Sequence, residues 1–541
     1  MKKNVALLIA GAMTAALLPM GAMASEEGGK TVRIGVPYDP VTLDFAEINA
    51  EPGTEMNTMI GETLIRNKNG EFVGGLAESW EVSEDGKVWT FTLKDGLTYS
   101  DGTTPITTED LVYAAKRLLN PEEGHNNSDS GLSLTNGGAY FDGSCSWEEV
   151  GVKAIDEKTI EYTFDNPQYE ISFTGTSLYA PLEEAFVAPL GVEYGSSVEK
   201  TLYSGPFVLD GWTSDTEITM KKNPNYWDAE SINIDTFTFI VGATGDTGVD
   251  MMLAGELDLW QRGGAAQCQV MEDAGYTSVT AYTSYQGLNL NHAGRSEETG
   301  LFLGNANFRK ALSYAIDRNA LGMSVMTSAE PANRLVAPNE AGVEKTFQEE
   351  FPYEGWPTSA DPEKAKEYLD AALEELGKTA DEIPTIELLC FDSQGAIDVL
   401  SAVQDMLLTN LNIKCEIDPQ TIQIMVSKAM GGEYDLWWGG NSIGEPDALE
   451  DYLHSFTTDY LATSPLRGFS SEEFDSLYNK ALASPSIEER RANFAEVEKY
   501  FCDNTLSLIF GWSKGGYYFD SKFTGLYFEA GTPIYTYMDI M

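Results

Sequence analysis

The sequence predicts an α/β fold, and three observations support this prediction. Strand-like and helix-like segments alternate in the second half of the chain, with strands at 385–390, 413–417 and 434–438 around helices at 396–411 and 421–430. Such alternation is typical of parallel strands joined by right-handed helical crossovers. Hydrophobic residues make up 42% of the 541 residues, which is enough for the cores of roughly two to four domains. Beyond the N-terminal segment, no apolar run approaches the roughly 18 residues of a membrane span.

The N-terminal segment, residues 1–24, has the features of a signal peptide. Lys2 and Lys3 precede an apolar run over 5–18, and Ala22-Met23-Ala24 supplies a cleavage site with small residues at the required positions. The apolar run is too short for a permanent membrane span. We therefore expect export and cleavage after Ala24. Because no cysteine lies near that site, we expect no N-terminal lipid anchor.

The first half of the remaining chain carries strand, cap and loop signals. A strand is predicted at 32–36, and another at 89–93, where apolar residues alternate with polar ones. Thr107, three residues before Asp110, is typical of a capping box and predicts the start of a helix. Residues 124–144 are rich in glycine, asparagine and serine, which predicts a long surface loop.

Helical signals dominate the second half of the chain. Apolar residues on one face predict a helix at 307–321, and Asp361-Pro362 predicts the start of another. Ser486 with Glu489 caps a further helix. The apolar segment 505–512 is expected to be a strand.

The charge of the chain excludes two classes of partner. There are 34 basic and 85 acidic residues, so the formal net charge is −51. A surface this acidic repels phosphates, and no basic stripe interrupts it. We therefore expect neither nucleic-acid binding nor attraction to anionic membranes.

The residues that most catalytic and metal sites require are scarce. Five cysteines include no C-x-x-C pair, and an odd number leaves at least one thiol over; a bridge between Cys390 and Cys415, which flank one predicted helix, is one possibility. The three histidines do not cluster with cysteines, which argues against a zinc or nickel site. Nucleophile elbow, zinc-protease, Walker and dinucleotide motifs are absent from the sequence. We expect no catalysis, no cofactor and no metal, with a secreted hydrolase or a sensor subunit as alternatives.

The strand at 434–438 leads into a candidate ligand-binding segment. Open α/β sheets bind ligands beyond the carboxyl ends of their strands, so the residues that follow can form a ligand wall. A buried strand followed by an ordinary turn fits the same pattern. The candidates are two tryptophans at the strand end and then amides, a hydroxyl and carboxylates: Trp437, Trp438, Asn441, Ser442, Glu445 and Asp447.

A series of ordered sequence blocks is the most specific signal in the chain. Residues 61–120 contain, in order, L-A-E-S-W, K-V-W-T-F-T-L-K, S-D-G and the T-x-E-D-L start of a helix. Further blocks follow: Ser204-Gly205-Pro206-Phe207 with K-N-P-N-Y-W, M-L-A-G-E-L-D, N-F-R-K-A-L-S-Y-A-I-D-R and Y-D-L-W-W-G-G. This ordered set, which covers nearly the whole chain after residue 24, resembles family 5 extracellular solute-binding proteins. Members of that family are receptors of ABC importers for oligopeptides, dipeptides and nickel complexes.

The resemblance implies a two-lobed architecture of the periplasmic-binding-protein type (type II, cluster C), with the ligand cleft between the lobes. It implies a monomer in the periplasm or at the cell surface, which encloses an oligopeptide by hinge closure and docks on the permease subunits of an ABC importer. The alternative ligands are a short saccharide, an opine-like compound or a metal chelate. The implied ranges are lobe I at 30–65, 200–290 and 506–541, an extra domain typical of peptide binders at 66–199, and lobe II at 291–505.

The resemblance also implies site residues. The two tryptophans match the family's ligand-contact segment, and alternation along a strand puts their side chains on opposite faces. We expect Trp438, nearer the strand's end, to face the ligand. The further candidates, by position in the family pattern, are Tyr285, Gln286, Asn49 and Glu51.

The amino-group anchor of the family departs from its usual pattern in this sequence. Peptide receptors of the family usually carry an aspartate in the loop after this strand, where it pairs with the ligand's free α-amino group. Here that position falls on Ser442 or Gly444. Either Glu445 or Asp447 takes over, or the ligand lacks a fixed free amine, as in N-blocked peptides, longer peptides or non-peptide solutes.

Overall fold

The computed structural model describes residues 29–48, 52–68, 70–442, 452–529 and 532–541 of the chain. The strands are β1 (Thr31–Val36), β2 (Ile65–Lys68), β3 (Glu71–Gly74), β4 (Ala77–Val82), β5 (Val88–Leu93), β6 (Val152–Ala154), β7 (Thr159–Thr163), β8 (Phe207–Thr213), β9 (Glu217–Lys222), β10 (Thr236–Val241), β11 (Leu259–Gln261), β12 (Thr277–Leu290), β13 (Ala329–Pro331), β14 (Ile386–Phe391), β15 (Cys415–Gln420), β16 (Leu436–Ser442), β17 (Leu508–Phe519), β18 (Phe523–Thr524), β19 (Tyr527–Glu529), β20 (Thr532–Ile534) and β21 (Asp539–Ile540).

The helices are interspersed with these strands along the chain. The α-helices are α1 (Gly53–Ile60), α2 (Thr108–Leu118), α3 (Gly137–Phe141), α4 (Thr176–Tyr179), α5 (Glu184–Val187), α6 (Gly245–Leu253), α7 (Ala265–Asp273), α8 (Glu297–Leu303), α9 (Ala306–Ala315), α10 (Arg318–Ser324), α11 (Phe347–Glu350), α12 (Pro362–Leu376), α13 (Gln394–Leu411), α14 (Ile422–Met430), α15 (Thr458–Thr463), α16 (Glu472–Leu482) and α17 (Ile487–Asp503). In the described segments, no helix has both the length and the apolar character that crossing a membrane requires.

One mixed sheet of eleven strands forms the centre of the molecule. Its order is β15-β14-β16-β12-β17-β11-β1-β10-β9-β8, and β13 pairs with β17 beside this path. The two longest strands, β12 and β17, lie next to each other in the middle of the order. They connect the strands of lobe II on one side with the strands of lobe I on the other.

The α/β alternation predicted for lobe II is confirmed. The strand β14 is parallel to both β15 and β16, with α13 and α14 in the connections. The apolar residues of these elements pack together in the lobe II core. Each strand and each helix must present apolar residues to that core, and this requirement explains the alternation of strand-like and helix-like patterns along the chain. The third strand begins at Leu436, two residues later than predicted, and continues through the glycines to Ser442.

The extra domain has a sheet of its own, ordered β4-β5-β7-β6. The predicted alternation at 89–93 is confirmed, because Trp89, Phe91 and Leu93 are buried while the residues between them are half-buried. The ring of Phe173 packs 4.7 Å from that of Trp89 and 4.8 Å from that of Phe91. The helix predicted from Thr107 is α2, and its capping box is present.

The predicted single helix at 307–321 is instead two helices, α9 and α10. Ile316 between them is extended, with φ −98° and ψ 126°. The carboxylate of Asp317 then accepts a hydrogen bond from the backbone N–H of Ala320, at 2.8 Å, and caps α10. A capping aspartate offers the backbone an alternative to a continuous helix, and this competition explains the break.

Two other predicted boundaries are also corrected. The surface loop predicted at 124–144 contains α3 and a short 3-10 helix at Ser128–Gly131. The strand predicted at 505–512 begins only at Leu508, after Thr505 with φ 47°, and it continues to Phe519.

The bridge between Cys390 and Cys415 does not form, and all five cysteines are free. In the pairing of β14 with β15, Cys415 lies opposite Ile386, whereas Cys390 lies opposite Pro419. Four residues along a strand correspond to about 13 Å, while a disulfide needs Cα atoms within about 7 Å.

Candidate functional site

The cleft between the lobes follows from the register of β12 and β17. These strands pair antiparallel, from Thr277 opposite Phe519 to Leu288 opposite Leu508. On the lobe II side, β16 runs along β12 and ends with Ser442 opposite Ser284. On the lobe I side, β11 runs along β17 and ends with Gln261 opposite Tyr517.

The carboxyl ends of the parallel strands in both lobes therefore point towards each other. In lobe I, β1 is parallel to β11 and β10; in lobe II, β14 is parallel to β16 and β15. Ligands of open α/β sheets bind beyond the carboxyl ends of the strands. The site is the gap between the two sets of strand ends, and its floor is the middle of β12 and β17.

The floor of the cleft is a ribbon formed by β12 and β17, with one further backbone hydrogen bond from the N–H of Lys514 to the carbonyl oxygen of Ser328, at 2.9 Å. Between Ala281 and Thr283, the described residues place neither β16 nor β11 beside the pair, because β16 stops at Ser284 and β11 at the level of Val279. A register shift interrupts the pairing between Tyr282 and Ser284. Two-stranded ribbons twist more than wide sheets, and bulges bend strands, so the two lobes can move about this segment.

Gly516 allows the two strands of the ribbon to approach. Its φ is +117°, and a Cβ there would lie 2.0 Å from the carbonyl oxygen of Val279. No residue with a side chain adopts this conformation without strain. The next chain segment of lobe I is fixed to the same point, because the backbone N–H of Arg262 donates to the carbonyl oxygen of Gly516 at 2.8 Å.

A polar cluster lies on the ribbon itself. Tyr282 and Lys514 are register partners, and both contact Glu330 of β13: the Tyr282 hydroxyl donates to Oε2 at 2.8 Å, and the Lys514 Nζ lies 3.0 Å from the same oxygen. Partial burial alone would raise the pKa of Glu330, but the hydrogen bonds from both partners hold it below the ordinary value. Burial and the same carboxylate raise the pKa of Tyr282.

The two tryptophans lie on opposite faces, as expected, but near the start of β16 and not at its end, because the strand continues to Ser442. Trp438 is 8% exposed and belongs to the lobe II core, where its ring stacks on Phe510 at 6.1 Å. Trp437 is half-buried and packs against Tyr434 at 6.5 Å. Its indole Nε1 is buried and has no hydrogen-bond partner in the described part of the chain.

Tyr285 and Gln286 lie just beyond the ribbon on its lobe II side, where β16 pairs with β12. Tyr285 is 2% exposed, pairs in register with Asn441 and Trp512, and places its ring 4.8 Å from that of Tyr452. Its burial raises the pKa of the hydroxyl well above the ordinary value. Gln286 is half-buried.

The remaining candidates belong to two segments at the strand ends. The backbones of Asn441 and Ser442 complete β16. The side chains of these two residues, and all of Glu445, Asp447, Asn49 and Glu51, lie outside the described residues.

Both flanks of the 49–51 segment are firmly anchored. Before it, Asp44 accepts two hydrogen bonds from Arg117, at 2.8 and 2.5 Å, and both side chains are buried. After it, Glu55 in α1 accepts from the hydroxyls of Tyr517 at 2.8 Å and Tyr535 at 2.6 Å. The ends of the candidate loop are thereby fixed relative to lobe I.

The chain after residue 451 is held by a buried arginine. Arg467 donates to Ser455 Oγ and to Asn289 Oδ1, both at 2.8 Å, and its guanidinium lies 4.3 Å from the ring centre of Phe456. The side chain is 2% exposed, and no described carboxylate lies within ion-pair distance of it. Among the described residues, no cluster of histidine, cysteine and carboxylate side chains is suited to hold a metal ion.

The comparison with protein families decides the family of this chain. Residues 71–461 match the family model described as bacterial extracellular solute-binding proteins, family 5 Middle, which is well over half of the chain. The protein belongs to family 5 of the extracellular solute-binding proteins.

Relatives of this family 5 protein match most of its length. It is 27% identical over 488 residues to the oligopeptide-binding protein OppA of Bacillus subtilis, covering 88% of this chain and 86% of that one. It is 27% identical over 503 residues to the dipeptide-binding protein of Lactococcus lactis, covering 90% and 88%. The substrate-binding domain of the Bacillus anthracis oligopeptide ABC transporter superposes with a TM-score of 0.73 at 25% identity, covering 95% and 100%. The architecture of this family 5 protein is accordingly the two-lobed one that the resemblance implies.

Sequence reasoning missed the polar cluster on the cleft floor. Lys514 is the only charged residue between Thr505 and Phe519, and a single lysine in an apolar strand is a signal that could have identified it. Glu330 gives no comparable signal, because its role depends on the pairing of the three-residue β13 with β17.

Proposed function

We propose that this family 5 solute-binding protein is the exported receptor of an ABC importer and that its ligand is an oligopeptide. The observation that carries this proposal is the cleft itself, in which the strand ends of two lobes face each other across the floor formed by β12 and β17. Relatives that match most of the chain and are named for binding oligopeptides and dipeptides support the ligand class.

The mechanism is closure of the lobes around the ligand. A ligand that contacts both lobes binds the closed form more tightly than the open form, and this difference in affinity shifts the equilibrium towards closure. The peptide backbone pairs with main-chain groups of the cleft as an added strand, while water-filled pockets accept varied side chains. The closed form then docks on the permease. We expect a monomer, exported after cleavage behind Ala24 and without an N-terminal lipid, which the intact mass of the secreted protein checks.

The ligand's amino group is held differently from the usual family pattern. The position of the usual aspartate falls on Ser442 or Gly444, so we expect peptide binding without the standard anchor. The competing arrangement uses the carboxylate of Glu445 or Asp447. An ammonium group paired with a buried carboxylate would be costly to remove, because the carboxylate would remain buried and unpaired.

Two measurements test the proposal. Protein purified under native conditions is incubated with a peptide mixture, washed and denatured, and the released molecules are identified by mass spectrometry; protein refolded and not exposed to peptides is the control. Peptides are expected, and recovery of a saccharide or a metal chelate instead would contradict the ligand class. Calorimetry with one recovered peptide and its N-acetylated form follows. A change of less than about tenfold is expected, whereas a loss of about a hundredfold would show that an acidic anchor survives.

A further inference from the structure

The extra domain is firmly attached to lobe I. Arg117 of α2 pairs with Asp44 in a buried bidentate contact. The Lys94 Nζ lies 4.2 Å from the ring centre of Trp227 in lobe I. The two units also share a hydrophobic core, to which the extra domain contributes Ala180, Leu182, Val187 and Tyr194. We therefore treat the extra domain and lobe I as one body when the lobes move.

The extra domain also reaches across to lobe II through Tyr169. The Tyr169 hydroxyl donates a hydrogen bond to the backbone carbonyl oxygen of Ser484, at 2.7 Å. The guanidinium of Arg490 lies 5.6 Å from the centre of the same ring. Ser484 lies in the connection between α16 and α17, Arg490 lies in the first turn of α17, and the two residues are 2% and 4% exposed. The contact joins residues that are 315 positions apart in the chain.

Both sides of this contact are rigidly held. Tyr169 precedes the 3-10 helix at Glu170–Phe173, and Phe173 lies at the centre of the extra-domain core. On the other side, the Ser484 Oγ accepts a hydrogen bond from Asn493 at 2.9 Å, and Arg490 donates to the carbonyl oxygen of Leu482 at 3.3 Å. Neither partner can follow the other far if the lobes separate.

An electrostatic interaction also links the extra domain with lobe II. Desolvation lowers the pKa of His454 in lobe II, and the negative charges of Asp459 and of Asp129 in the extra domain oppose this shift. Asp129 lies in the 3-10 helix next to Asn127, whose side chain donates to the carbonyl oxygens of Phe45 and Ile48 in lobe I. The extra domain therefore interacts with lobe II through this charge as well as through the contact of Tyr169.

We propose that Tyr169 and the connection between α16 and α17 form a latch that holds the cleft closed and slows ligand release. The proposal rests on the proposed function, because it requires closure around a ligand. Since Tyr169 moves with lobe I and Ser484 with lobe II, opening about the ribbon at 281–283 breaks the contact. A contact present only in the closed form stabilises that form and the ligand within it.

The size of the effect follows from the chemistry of one hydrogen bond. A neutral hydrogen bond contributes about 1 kcal/mol net, so removing the hydroxyl should raise the ligand dissociation rate by about fivefold. The association rate should change little, because the latch forms after the ligand has entered the open cleft. Removing the ring as well also removes its contact with Arg490 and should increase the effect.

The test compares three variants of the full protein without its signal segment. Tyr169→Phe removes only the hydroxyl, and Tyr169→Ala removes the ring. Tyr162→Phe is the matched control, because Tyr162 is a buried extra-domain tyrosine whose hydroxyl has no partner in the described chain. Dissociation of tetra-alanine and of tetralysine is followed by stopped-flow tryptophan fluorescence, and melting temperatures report folding.

We expect about fivefold faster release from Tyr169→Phe and unchanged release from Tyr162→Phe. Release from Tyr169→Phe at the wild-type rate would overturn the latch. If the wild type binds neither probe, the proposed ligand class is wrong. The latch is then tested by small-angle X-ray scattering of the ligand-free proteins. A larger radius of gyration for Tyr169→Ala than for wild type and control supports it, and equal radii refute it. If Tyr169→Ala fails to fold, the radius of gyration of ligand-free Tyr169→Phe is compared with those of wild type and control instead.

Discussion

Replacing the two tryptophans of β16 separately distinguishes a core residue from a ligand-contacting one. The sequence favours Trp438 as the residue that faces the ligand. The burial of Trp438 in the structure favours Trp437 instead. Trp438 is 8% exposed and stacks on Phe510 inside the lobe II core. Trp437 is half-buried on the other face, and its Nε1 lacks a partner among the described residues.

The structure sets different magnitudes for the two substitutions. Trp438→Ala leaves a cavity in a packed core and should lower the free energy of unfolding by about 3–5 kcal/mol. Trp437→Ala removes a side chain that still has exposed surface, so its effect on stability should be smaller. If Trp437 contacts the ligand as an aromatic anchor, its loss should weaken binding by about 1–3 kcal/mol.

The assay combines urea unfolding, followed by circular dichroism, with calorimetry of a recovered peptide. Trp80→Ala is the matched control, because Trp80 is a half-buried tryptophan that packs against Phe91 in the extra domain, away from the cleft. It should lose some stability and no affinity. A Trp438→Ala protein that keeps its stability but loses affinity, with Trp437→Ala unaffected, would refute the assignment from burial.

Two further predictions concern a strained glycine and a buried acid. Gly516→Ala should lower the free energy of unfolding by more than about 1 kcal/mol, because φ is +117° and the new Cβ would lie 2.0 Å from the Val279 oxygen. Gly395→Ala is the control and should be neutral or stabilising, because nothing lies within 4 Å of its new Cβ. Thermal unfolding measures both variants. Burial raises the pKa of Asp110 to about 6 despite its hydrogen bonds from Thr107. Because this lies above the unfolded value of about 4, the folded state binds the extra proton, and stability should fall as pH rises from about 4 to 6, by up to about 3 kcal/mol. Asp110→Asn should remove this part of the pH dependence in urea titrations, and an unchanged profile would contradict the assignment.

The α/β character of lobe II could be predicted because each element there carries its own signal. Short strand-like segments alternate with longer helix-like segments there, and local pattern alone identifies them. The break between α9 and α10 could not be predicted in the same way. The apolar face runs on through Ile316, and the side chain of Asp317 ends the helix by a hydrogen bond that periodicity does not reveal.

The site could be predicted only in part, for a similar reason. Alternation along β16 shows that Trp437 and Trp438 face opposite sides, but only the packing of Phe510 from β17 shows which side is the core. The pairing of β12 with β17 joins segments about 230 residues apart, and local patterns do not encode such long-range register. Glu330, Tyr282 and Lys514 come together only through that register.

The hinge and the proposed latch have complementary roles in closure. The ribbon at 281–283 gives freedom of movement because, within the described chain, neither β16 nor β11 extends along it and a register shift interrupts its pairing. The contact of Tyr169 with Ser484 restricts that movement from outside the floor, since one partner belongs to the extra domain, which moves with lobe I, and the other to lobe II. A weak contact suffices there, because the open and closed forms of such receptors differ by only a few kcal/mol and a fivefold bias changes their ratio directly. The extra domain, which carries no predicted ligand contact, can thereby set how long the ligand stays bound.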